Sequence, residues 1–136
     1  MTATIYYSRN ATGGAWSSTA SWTLSSTGIG ASAPAIPQRT DSVVILNGHT
    51  IEITAINDNG SAGVSPDDLN RTNVGGFRGD GTDAFYHTGY IWIQSGGTLT
   101  STVRLMFEGK VVVANNGTLE TTSNDDLVLL GNTQFE

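Results

Sequence analysis

The sequence predicts an all-β fold, a short parallel β-helix (β-solenoid) with an N-terminal cap and one long loop excursion. Three observations point there. First, Ile91-Trp92-Ile93-Gln94-Ser95-Gly96-Gly97-Thr98-Leu99-Thr100 recurs 20 residues later as Val111-Val112-Val113-Ala114-Asn115-Asn116-Gly117-Thr118-Leu119-Glu120, with an earlier copy from Val43 to Glu52. Second, each copy reads apolar triplet, small polar corner, threonine, aliphatic, polar. Gly and Asn suit such corners because they tolerate positive φ or a close backbone approach, and strand-corner-strand units at a fixed period stack on one another. Third, the chain holds 17 Gly, three Pro and only 13% charged residues, a composition of short strands and tight turns.

In chain order, Thr4-Ile5-Tyr6-Tyr7-Ser8 is rich in β-formers and reads as a strand. Residues 11–33 would pass for a flexible linker but for Trp16 and Trp22. Each indole buries on the order of 200 Å², enough to pin the segment over the first rung. Residues 1–38 are therefore expected to form the cap, closed by Pro34 and Pro37, and residues 39–136 the rungs. The first clear rung spans 41–53, with its corner at Asn47-Gly48. Residues 57–88 break the rhythm with Gly, Asp, Asn, Ser and Thr, and read as an excursion from one corner, with a short helical turn at Pro66–Asn70. From Tyr90 the repeats resume. Ile91, Ile93, Leu99, Val111, Val113 and Leu119 should point inward, and Val103, Leu105, Phe107, Leu127 and Leu129 supply further strands. The copy begun at Leu127 has no cap after it, so continuing rungs of the same chain or another subunit are expected beyond it.

At 136 residues with net charge −6, one acidic domain is expected. Its six basic residues are scattered, which disfavours phosphate backbones and hence nucleic acid as a partner. Without cysteine there is no disulfide scaffold and no thiolate metal site. No apolar run spans a bilayer, so direct membrane insertion is not expected. Met1–Thr4 lacks the basic and apolar regions of a signal peptide. A removed signal, excision from a longer precursor, or a virion origin each accommodates that.

Trp16, Trp22 and the proline-containing lead, followed by Asp41-Ser42-Val43-Val44-Ile45-Leu46-Asn47-Gly48, resemble the opening of β-helical repeat modules in large secreted surface proteins of Bacteroidetes. The segments 91–100 and 111–120 resemble the repeats of those modules, and are similar to the eight-glycine domain of animal surface proteins. The resemblance covers roughly 14–53 and 90–133 and leaves the excursion out. It implies a right-handed parallel β-helix in an exported, extracellular, adhesin-like or filament protein carried by type IX secretion.

Candidate sites cluster in the excursion. Asp58, Asp80 and Asp83, with Asp67, Asp68, Asn57 and Asn59 nearby, have the oxygen chemistry of a calcium site. No complete calcium-loop motif is present, and a solvated turn-rich loop explains the same residues. Calcium is the only cofactor the composition suggests. Trp92, Tyr86, His87 and Arg78 are candidate ligand contacts, the aromatics for a glycan. Trp92 should face outward on a flank shared with Val44 and Val112, where the cap or excursion is expected to cover it. His49 fills the corner position of Gly97 and Gly117 and should carry its ring outside, whereas His87 reads as a packed foot of the excursion. No nucleophile elbow, phosphate loop or zinc spacing appears. Adjacent Asp67 and Asp68 do not supply the carboxylate separation that glycoside hydrolysis needs. The function expected is thus a non-catalytic structural or adhesive module. A carbohydrate-binding module and a phage fibre or decoration protein are the alternatives.

Overall fold

A computed structural model describes residues 4–9, 14–61, 63, 84–121 and 127–135. The strands are β1 Ile5–Ser8, β2 Gly14–Ala15, β3 Trp22–Thr23, β4 Ser42–Ile45, β5 Thr50–Ile53, β6 Phe85–His87, β7 Ile91–Ile93, β8 Thr98–Ser101, β9 Leu105–Phe107, β10 Val111–Val113, β11 Thr118–Thr121, β12 Leu127–Leu129 and β13 Thr133–Phe135. A Gly or Asn corner follows β4, β6, β7, β9, β10 and β12 within three residues of their ends, which keeps them short. The corner column is Gly48, Gly96 and Asn116, with φ of 81°, 82° and 68°.

Among the described residues the strands form three sheets, ordered β13-β10-β7-β4-β1-β3, β11-β8-β5-β2 and β12-β9-β6. From β4 onward, strands three apart in sequence pair in parallel. Val43 and Ile45 stand opposite Ile91 and Ile93, which stand opposite Val111 and Val113. In the second sheet Ile51, Leu99 and Leu119 align.

The expected right-handed parallel β-helix with an N-terminal cap is corrected here. The fold is all-β, but the largest sheet is mixed and the sheets do not close. β1 runs parallel to β4 yet antiparallel to β3. The cause is local. A 3-10 turn at Thr19–Ser21, with the Ser18 side chain capping Ala20 N–H, reverses the chain into Trp22. The returning strand meets β1 head to tail, and Arg9 N–H donates to the Ser21 carbonyl at 2.8 Å.

The core lies between the sheets. Val43, Ile45, Ile51, Ile53, Ile91, Ile93, Leu99 and Leu105 are fully buried. Trp16 and Trp22 close its N-terminal end, with ring centroids 5.2 Å apart and planes at 73°. Trp22 Nε1 donates to the Trp16 carbonyl at 2.8 Å, and Trp16 Nε1 to the Pro37 carbonyl at 3.1 Å. The opposite end differs. Phe135 continues the column of Ile45, Ile93 and Val113 but is 68% exposed, against 0%, 0% and 5% above it.

Candidate functional site

Three places are candidates for a functional role: the open end at β11, β12 and β13, the outer flank of the largest sheet, and an aromatic cluster around His87. At the open end each strand is the last of its sheet, so among the described residues no further strand lies beside it. Such an edge offers a row of donors and acceptors to another strand. Partly buried Leu119, Leu127 and Leu129 pack against the core there, beside exposed Phe135.

On the outer flank, alternation along the strands places Tyr7, Val44, Trp92, Val112 and Gln134 in one row. Trp92 is 39% exposed while Val44 and Val112 are buried. The excursion expected to cover this flank lies mostly outside the described residues, at 62 and 64–83. Ile5, on the same side of β1 as Tyr7, is also exposed.

His87 and Tyr86 do not stand at a loop surface. Both lie in β6, where His87 is fully buried and Tyr86 nearly so. The Tyr86 hydroxyl donates to Glu108 Oε2 at 2.7 Å, and the Arg39 guanidinium lies 5.0 Å above its ring. His87 Nε2 is 2.8 Å from the Asp41 carbonyl oxygen. A carbonyl only accepts, so the ring proton sits on Nε2 and leaves Nδ1 bare. Nδ1 is buried with no partner among the described residues. Burial is the main cause that pushes the imidazole down to about 4. The Asp41 carbonyl bond and carboxylate oppose the shift, and the Arg39 charge adds to it.

Asp58 is buried in a turn. Its Oδ2 accepts from Thr54 N–H at 2.8 Å and Ala55 N–H at 3.2 Å, so these bonds hold the chain as it leaves β5. Arg78, Asp80 and Asp83 lie outside the described residues, as do Asp67 and Asp68. Among the described residues no three His, Cys, Asp or Glu side chains converge as a metal site.

His49 is corrected as well. Its ring is tucked in rather than out, with Nδ1 2.7 Å from Ser8 Oγ, and the Leu46 N–H donates to the same hydroxyl at 2.8 Å. Burial lowers the His49 pKa, and the Ser8 contact opposes that. The pair resembles a nucleophile and its base, but Ser8 is fully buried and offers a substrate no approach. It clamps β1 to the corner after β4.

Sequence reasoning passed over Asp41. Its Oδ1 accepts from Thr4 N–H at 3.1 Å and its Oδ2 from Gln38 N–H at 2.8 Å, so one carboxylate ties both ends of the N-terminal region. An acid three residues after Gln38 in a Pro-led turn was the available signal. No family model, curated protein or solved structure matches this chain.

Proposed function

We propose that this protein is a non-catalytic structural module that grows by strand addition at its β11–β12–β13 end. The incoming strands come from another subunit or a further stretch of the same polypeptide. The observation that carries this is Phe135, an interior-column side chain left 68% exposed beside three strands that, among the described residues, are the last of their sheets. Covering a phenylalanine gains roughly 1.5–3 kcal/mol, and new ladder bonds fix the register. At the N-terminal end the interior column is closed by Trp16 and Trp22, which are fully buried, although β2, β3 and β6 are likewise the last strands of their sheets there. A role outside the cell, in a surface protein or a virion fibre, rests on the resemblance carried by residues 14–53 and 90–133, since a chain without cysteine fits any redox compartment.

Light scattering over a range of protein concentrations tests this. The wild type is expected to associate, and Phe135→Asp to remain monomeric with unchanged far-UV circular dichroism. A wild type that stays monomeric throughout contradicts the version in which a second subunit supplies the strands.

A second reading is favoured by Trp92. A part-exposed indole between buried Val44 and Val112 offers a flat apolar face with Gln94 and Gln134 nearby, the geometry that stacks on a sugar ring. Glycan-array binding by the wild type that is lost in Trp92→Ala would establish it. Equal signals from both proteins would count against it.

A further inference from the structure

His87 fastens parts of the chain that are distant in sequence. Its ring lies edge-on to Trp16 at 5.3 Å and stacks on Phe85 at 6.2 Å and 10°. Through Nε2 it holds the Asp41 carbonyl, while the Asp41 carboxylate holds Thr4 and Gln38. Next to it, Thr88 and Gly89 N–H groups donate to the Arg39 carbonyl at 2.9 and 3.1 Å. Trp16 is tied in turn to Pro37 and Trp22. The segment that ends the sheets on the N-terminal side is therefore docked on β6 through this imidazole and the backbone beside it.

A second proton on that ring has one place to go, Nδ1, which has no acceptor among the described residues and faces an aromatic cluster. The charged groups on the surrounding elements do not neutralise it. The Asp41 carboxylate is already engaged, and Arg39 adds a like charge over Tyr86. Glu108 on the neighbouring strand accepts from Tyr86, and Asp58 accepts from Thr54 and Ala55. An uncompensated buried cation is relieved by opening the structure around it.

We propose that His87 is an acid-sensitive latch, whose protonation at Nδ1 releases the Trp16–Trp22 segment from β6 and uncovers the N-terminal side of the sheets. The released histidine takes up its proton near its ordinary value of about 6.5, whereas the docked one does so only near 4. Docking is therefore complete above 6.5 and is lost as the pH falls through that interval. The released-to-docked ratio rises about tenfold per pH unit. This inference stands apart from strand addition at the opposite end, and either can fail alone.

Tryptophan emission of Trp92→Phe tests it, because the remaining indoles are Trp16 and Trp22. The expected result is a red shift below pH 6.5 that precedes loss of the far-UV β signal. Adding His87→Gln, which keeps a donor for the Asp41 carbonyl but cannot titrate, should abolish the shift, and adding His49→Gln should leave it. The same shift in the His87→Gln protein, or emission and β signal moving together, would overturn the proposal. If His87→Gln does not fold, the His87 Cε1 resonance of the wild type decides. It should titrate with the emission change, and a ring still neutral after that change would overturn the latch.

Discussion

The Gly96 N–H donates to the Asn116 carbonyl at 3.0 Å, and the Gly48 N–H donates to the Gly96 carbonyl at the same distance. These corners stack, and all three residues hold positive φ. Asn116 is the member of this column with a Cβ, and it bears the left-handed conformation that asparagine tolerates. Asn116→Gly should leave stability within a few tenths of a kcal/mol, whereas Asn116→Val should cost about 1–2 kcal/mol. Urea unfolding of the two variants distinguishes them.

The indoles should divide sharply. Trp16 is fully buried, and its ring touches those of Trp22, Phe85 and His87. Truncation to alanine should cost about 3–5 kcal/mol. Trp92→Ala, on the outer flank, should cost under about 1 kcal/mol. Thermal melting of the two variants checks the contrast, and equal losses would place Trp92 in the core.

Gly109 sits against the carbonyl of Thr88, and a Cβ built there would run into that oxygen. Gly89 and Gly131 meet carbonyls of the preceding repeat in the same way. Gly109→Ala must push two chains apart, which should cost roughly 1–3 kcal/mol. A calorimetric melt unchanged by this substitution would mean that the third sheet's corners pack more loosely.

Tyr6 supplies a pH dependence at the alkaline end. Its phenol is buried edge-on to Trp22, 6.5 Å between centroids, and burial first and the Asp41 charge second raise its pKa above 10. The folded state thus prefers the protonated phenol. Its contribution is present below the unfolded value of 10 and is lost as the pH rises through the folded one. In an ultraviolet titration Tyr6 should ionise together with unfolding. Tyr6→Phe should move that unfolding to higher pH.

Much of the pairing was legible in the repeat itself. The apolar triplets at 43, 91 and 111, with corners four residues on, determine which side chains stand opposite one another, because a one-residue slip would turn Val43, Ile45, Ile91, Ile93, Val111 and Val113 outward and bring Trp92 in. The antiparallel return of β3 was not legible. It depends on a 3-10 turn at Thr19–Ser21 and on two indole N–H groups reaching the Trp16 and Pro37 carbonyls, none of which has a periodic signal. β6 was missed for a related reason. Phe-Tyr-His follows a polar stretch and matches neither neighbouring repeat, yet it pairs with Leu105–Phe107. The inward turn of His49 was likewise hidden, since Ser8 is 41 residues away. Tyr86 and His87 were candidate ligand contacts, with a packed foot of the excursion as the reading of His87, and both are buried in β6. Their burial arises from Trp16 and Arg39, which only the tertiary fold brings near.

Hydrogen exchange, followed amide by amide at low and high protein concentration, bears on the β11–β12–β13 end. Strand addition there predicts that amides of β11, β12 and β13 slow as concentration rises, while those of β4 and β7, already paired on both sides, do not change. Exchange at the last three strands that is independent of concentration, with Phe135 equally exposed throughout, would contradict growth by another subunit at that end.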